Sequence, residues 1–165
     1  MGKKQSAGGA TPATLALKAA GIAFTLHPYV HDPSARSYGL EAAEALGVEP
    51  ARVFKTLLAE VDGALTVAIV PVSSKLDLKA LASAMGGKRA ELADPALAER
   101  KTGYVVGGIS PVGQKTRLPT VLDASAEAFP SIFVSGGRRG LDLELSPADL
   151  RAITAARVAA IAREG

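Results

Sequence analysis

The sequence predicts an α+β fold, a mixed β-sheet or partly closed barrel with helices packed outside it. Three observations lead there. Cap residues followed by proline recur at Thr11-Pro12, Asp94-Pro95 and Ser146-Pro147; proline in the first helical position loses no hydrogen bond, so each reads as a helix start. Two apolar runs, 52–60 and 64–71, flank Val61-Asp62-Gly63, and the Asp-Gly pair has the chemistry of a hairpin turn. Strand-like segments are also numerous for the length, and the hairpin makes part of the sheet antiparallel.

Helices are expected over 11–20, 40–46, 76–85, 94–101 and 146–155. Gly21, Gly47, Gly86-Gly87 and Gly103 follow the first four as stops, because glycine takes the left-handed conformation that ends a helix. Ser146 has Asp149 three residues on, near the capping-box pattern. Strands are expected over 23–30, 52–60, 64–71, 104–107, 120–123, 132–135 and 140–145. The last ten residues fit helix or strand equally. Residues 1–10 read as a polar, glycine-rich flexible leader, and 11–165 as a single domain.

Composition narrows the chemistry. The chain has no cysteine, which removes a disulfide framework, a thiolate zinc site and a cysteine nucleophile together. Tryptophan is absent and aromatic residues are 4%, too few for a base-stacking platform. A net charge of +3 is compatible with a nucleic-acid partner without demonstrating one. No apolar run is long enough to span a bilayer, and the start lacks the apolar centre of a signal peptide. A cytoplasmic protein without membrane or DNA partners is expected.

Lys55 is the most informative residue. It lies in Val53-Phe54-Lys55-Thr56-Leu57-Leu58, where neither face of a strand is polar. An unpaired ammonium buried there would cost several kcal/mol, an order-of-magnitude figure, or be forced neutral. A functional amine explains it; so does an edge-strand lysine that blocks strand addition, and the pattern leaves both open. The run from Gly103 to Gly113, GYVVGGISPVG, can bring backbone N–H groups to a carbonyl oxygen or phosphate, or be a plain tight turn. Ser135-Gly136-Gly137-Arg138-Arg139-Gly140-Leu141-Asp142 can approach a phosphate backbone, or be a hairpin with two solvated arginines. His27, His31 and Asp32 have no third ligand at a metal-binding spacing, and no HExxH, GxSxG or Walker A motif occurs. No metal or other cofactor is expected.

In this order, the segments resemble the YbaK family of bacterial deacylases acting on cysteinyl-tRNA(Pro). The pieces that carry the resemblance are FTLHPY (24–29) with His31-Asp32-Pro33, FKTL (54–57), GYVVGGISP (103–111) and SGGRRGL (135–141). The resemblance runs from Thr11 to Asp149. It implies the mixed sheet or barrel also found as the editing insert of bacterial prolyl-tRNA synthetases. It implies action in trans on mischarged tRNA, with the synthetase as a transient partner. By it the essential lysine is Lys55, pocket positions are Tyr29, Thr56, Ser135 and Asp142, and the loop positions are Gly107 or Gly108 and Pro111.

The family's answer to the missing nucleophile is that the substrate supplies it: the cysteinyl thiol attacks its own ester, giving a thiolactone. The residues would then orient and stabilise charge. Backbone N–H groups of Gly107, Gly108, Ile109 and Ser110 are expected at the oxyanion. Lys115, Arg117, Arg138 and Arg139 are the candidates for tRNA phosphate. Two rivals stand beside this reading: a deacylase of the same fold for alanine or another small residue, and a non-catalytic tRNA- or synthetase-binding module.

Overall fold

A computed structural model describes residues 10–164, so the expected leader lies, apart from Ala10, outside the described residues. Helix α1 (Pro12–Ala19) starts where Thr11 caps it. The Thr11 hydroxyl accepts from Thr14 N at 3.2 Å and Thr14 Oγ1 accepts from Thr11 N at 3.0 Å, a capping box closed by threonine. Ser37 and Ser146 likewise cap α2 (Tyr38–Leu46) and α5 (Pro147–Thr154) through their hydroxyls. Asp77 caps α3 (Leu78–Ala84). Asp94 precedes α4 (Pro95–Thr102) but makes no side-chain cap bond. Gly47 and Gly103 end α2 and α4 in the left-handed conformation.

The strands, in chain order, are β1 (Thr25–Pro28), β2 (Phe54–Val61), β3 (Ala64–Pro71), β4 (Ser74–Leu76), β5 (Ala90–Leu92), β6 (Thr120–Asp123), β7 (Ile132–Arg138), β8 (Leu141–Leu145), β9 (Arg157–Ala159) and β10 (Ala162–Glu164). They form a five-stranded sheet of order β5-β2-β3-β6-β9, a three-stranded sheet β1-β8-β7 and the pair β10-β4. The five-stranded sheet is mixed: β2 is antiparallel to β3 and β5, while β3-β6 and β6-β9 are parallel. The two larger sheets touch through an isolated parallel bridge, Val53 with Phe133. No hydrogen-bonded circuit closes among the described strands, so the α+β architecture is found and the barrel is not.

Both faces of the central hairpin are covered. Phe54, Leu58, Val67 and Ile69 pack toward α1, β7, β8 and α5. Ala59, Val61, Ala68 and Val70 pack toward Leu81 and Ala82 of α3. That is why β2 and β3 read as continuous apolar runs rather than alternating ones. A third cluster seats α2 on Val53, Val72 and Phe133.

One expectation changes, and one open stretch is resolved. Residues 104–107 are not a strand: the stretch has no ladder partner, and Tyr104 turns inward, its hydroxyl donating to Val112 O at 2.7 Å to brace the loop 103–113. The undecided C-terminal stretch is extended, with β9 alongside β6 and β10 alongside β4.

Candidate functional site

The start of β2 forms the floor of a cleft of about 400 Å³. All of residues 53–58 line it. An alternating strand cannot present six successive residues through one face, so the cleft meets β2 edge-on. The ladder agrees: β2 pairs with β3 along its whole length, but with β5 only over Ala59–Val61. From Phe54 to Leu57 the second edge is open to the cleft. Lys55 is thus an edge lysine locally and a cleft residue as well.

Four segments converge here: Lys55 and Thr56 from β2, Gly107 and Ile109 from the loop, Ser135 from β7 and Asp142 from β8. Ser135 and Asp142 sit opposite each other in the β7–β8 ladder. Burial holds the Lys55 ammonium below its ordinary pKa, with a further push from the charge on Lys75. Asp142 is 5% exposed, and burial alone raises its carboxyl to about 7. The Thr56 hydroxyl is the one buried side-chain polar atom among the described residues without a hydrogen-bond partner. An orphaned hydroxyl in a cleft wall is a group available to a ligand.

Gly107, with φ +89°, presses on Tyr38; a Cβ there would lie 2.7 Å from the ring. Gly108 lies against the hairpin backbone, where a Cβ would come within 2.7 Å of Arg138 Cα. Here the glycines let protein approach protein, a use the sequence reading did not separate from ligand approach.

Residues 32–153 match the family model described as the aminoacyl-tRNA editing domain. The chain belongs to the aminoacyl-tRNA editing domain family. Among its relatives is the "Putative Cys-tRNA(Pro)/Cys-tRNA(Cys) deacylase EbsC" of Enterococcus faecalis, 42% identical over 122 residues, 72% of this chain and 73% of that protein. The "Multifunctional Ser/Thr-tRNA deacylase ProXp-y" of Escherichia coli K12 is 37% identical over 84 residues, half of each chain. A solved structure described as a "putative trans-editing enzyme for prolyl tRNA synthetase" superposes with a TM-score of 0.81 at 28% identity, covering 92% of this chain and 95% of that one.

The remaining expected site residues of this editing domain lie outside the cleft lining. Gly108 lies outside the cleft lining and its N–H already donates to Val105 O at 2.8 Å, so it is not free for an oxyanion. Ser110 is fully buried, its hydroxyl accepting from Val112 N and its carbonyl from Gln114 Nε2. Pro111 and Arg117 line a separate, smaller groove with Gln114 and Ile153. Tyr29 does not line the cleft, but burial and the charge of Asp142 push its hydroxyl up to about 12. It packs with the cluster under α2. Lys115 is exposed. Arg139 is exposed but engaged, its Nε donating to Val106 O at 2.9 Å.

His27 and His31 part company. His27 Nε2 meets Glu144 at 2.9 Å, while His31 Nδ1 meets Glu41 at 2.8 Å. No group of three or more His, Asp or Glu side chains is placed to hold a metal ion among the described residues. No helix among them is long and apolar enough to cross a membrane.

The cleft of this editing domain is also lined by residues that motif reading missed. Arg36, Ser37 and Tyr38 form one wall, and Leu92, Ala93 and Pro95 another. Tyr38 alone carried a usable signal, as an aromatic directly after a capping serine; the rest reach the cleft only through tertiary packing.

Proposed function

We propose that the protein is a trans-editing deacylase that removes cysteine from mischarged tRNA(Pro), using the substrate's own thiol as nucleophile. One observation carries the reading: Lys55, Thr56, Gly107, Ile109, Ser135 and Asp142, from four separate segments, line a single cleft. Family membership supports aminoacyl-tRNA deacylation, and the 42% identity to a protein named for Cys-tRNA deacylation supports cysteine. A largely apolar cleft with a few convergent polar groups suits a small amino acid on a terminal ribose.

In the proposed step the cysteinyl sulfur bonds to its own ester carbonyl carbon, and the carbon–oxygen bond to the ribose breaks. The thiol proton ends on the ribose oxygen. The products are a cyclic thiolactone and tRNA with a free terminal hydroxyl; no water is consumed. A thiol, with a pKa of about 8.5 against roughly 16 for water, is the more available anion near neutrality. Holding it beside the ester removes several kcal/mol of barrier, by order of magnitude.

The chain's share is placement and charge. The N–H groups of Gly107 and Ile109 have no protein acceptor among the described residues and are assigned to the developing oxyanion. Lys55 stabilises negative charge on the ribose oxygen or its phosphate. Ionised Asp142 takes the substrate's α-ammonium, and Thr56 the remaining polar edge. Arg138, Lys115 and Arg117 are assigned to tRNA phosphate. The reading places the protein in the cytoplasm with prolyl-tRNA synthetase as transient partner.

The test is parallel deacylation of Cys-, Ala-, Ser- and Pro-charged tRNA with products weighed. Cysteine should leave fastest, with a product lighter than cysteine by one water. Faster release of alanine ends the thiolactone proposal. Faster release of serine favours the second reading, which the likeness to a Ser/Thr-tRNA deacylase supports: a substrate hydroxyl paired with Thr56. Binding without any release leaves a non-catalytic module.

A further inference from the structure

Both main-chain polar groups of Val106, the residue before Gly107, are held by side chains. Val106 N donates to Glu99 Oε2 of α4 at 2.8 Å, and Val106 O accepts from Arg139 Nε of the β7–β8 hairpin at 2.9 Å. The Arg139 guanidinium also stands 5.0 Å from the centre of the Tyr38 ring, within cation–π range. Tyr38 in turn abuts Gly107 so closely that a Cβ there would clash with it. Arg139, Tyr38 and Gly107 therefore form a continuous stack that starts on the outer surface and ends in the cleft wall.

We propose that Arg139 is a positioning residue for the Gly107 N–H, rather than a tRNA phosphate contact. The reason is the planarity of the peptide. Val106 C=O and Gly107 N–H belong to one peptide unit, and in a trans peptide they point in opposite directions; no cis bond occurs among the described residues. A donor that fixes the carbonyl from outside thereby fixes where the N–H points. A charged donor also polarises the peptide and strengthens its N–H. The side chain that aims the hydrogen and the Tyr38 ring that abuts Gly107 are held together by their own stacking.

The inference rests on the proposed reaction for its kinetic consequence alone; the grip on the loop is testable without it. Arg139→Lys and Arg139→Gln separate the roles. Lysine keeps the charge a phosphate would need, but has no planar fork for Val106 and no flat face for Tyr38. Both variants should lower kcat about 10-fold or more, since small misplacements of catalytic groups are costly. KM for charged tRNA and the salt dependence should stay within about twofold in both. Tyr38→Leu should lower kcat similarly, and Tyr38→Leu/Arg139→Gln no further than the worse single variant, because the two act as one unit. Hydrogen exchange across residues 105–110, read by mass, should quicken in both Arg139 variants. If Arg139→Lys matches the wild type while Arg139→Gln raises KM with a shallower salt slope and unchanged exchange, Arg139 is a phosphate contact and the proposal is overturned. If the wild type releases no amino acid, the proposed function fails, and the exchange measurement still decides the grip.

Discussion

Lys55 and Asp142 line the same cleft, yet no ion pair of 4 Å or less joins them. Each is shifted by burial toward its neutral form, the lysine downward and the aspartate upward. A structural salt bridge would have done the reverse to both. Two opposite charges kept apart in one half-closed cleft leave each available to a third party. A substrate carrying an ammonium at one end and a developing alkoxide at the other satisfies both.

Asp142 makes stability pH-dependent in a defined direction. Its carboxyl titrates near 7 in the folded chain and near 4 when unfolded. Between those values the folded state holds the extra proton, so stability falls as pH rises from about 4 to about 7 and levels off above. Asp142→Asn removes that dependence. It should be more stable than the wild type at pH 8, by about 2–4 kcal/mol at most, with the gap closing toward pH 4. Thermal unfolding across that range checks it. The same variant should bind charged tRNA more weakly, through loss of the ammonium partner.

Lys55→Met should abolish deacylation, at least about 100-fold, without unfolding the chain. The sign of its stability effect follows from the depressed pKa. The folded state is reluctant to hold the proton, so the charged lysine is a net cost at neutral pH that fades as pH climbs past its folded pKa. The variant should therefore match or exceed the wild type in melting temperature at pH 7. A variant that is both inactive and markedly unstable would instead mark Lys55 as structural.

Thr56→Val keeps the shape of the side chain and removes the orphaned hydroxyl. Burying an unpartnered polar group costs about 1–3 kcal/mol, so the variant should gain up to about that much in denaturant titration. Deacylation should fall at the same time if the hydroxyl serves the substrate. Gain of stability with full activity would take Thr56 out of the site.

Gly107→Ala meets two obstacles, a left-handed backbone and a Tyr38 ring 2.7 Å from the new carbon. The loop must shift, and kcat should drop about 10- to 100-fold. Because the strain lies between loop and ring, Tyr38→Ala added to Gly107→Ala should recover part of the lost thermal stability. A Gly107→Ala variant with normal turnover would remove its N–H from the oxyanion assignment.

Much of this was legible in the chain, and the failures have physical causes. The hairpin was encoded in Asp62-Gly63, which take φ values of 50° and 86° as that turn demands. Lys55 announced itself because a lone charge interrupts an apolar run that both sheet faces bury. Three-residue strands such as β4 and β5 are too short to show a period. The apolar Tyr104-Val105-Val106 imitated a strand; the side chains of Thr102 and Glu99 took the Tyr104 and Val106 amides instead. For Arg139 the sequence shows the guanidinium but not the Val106 carbonyl that its Nε meets. The segment from Ser135 to Asp142 stood out by its glycines and arginines, but the pocket roles of Ser135 and Asp142 came only through family resemblance, since each sits in a run whose neighbours are buried on both sides.

Asp123 closes β6 with its carboxyl turned to the far end of the chain. One oxygen accepts Ile161 N at 2.8 Å and Ala162 N at 2.9 Å; the other accepts Ser125 N and its hydroxyl. The aspartate is 4% exposed. Anyone trimming this protein to residues 32–153, the span that the family model matches, would strip away the amides that satisfy it, along with Ile161, Ala13 and Leu17, all fully interior. The boundary drawn by the family model is thus narrower than the boundary drawn by hydrogen bonding, and only the wider one should yield a soluble fragment.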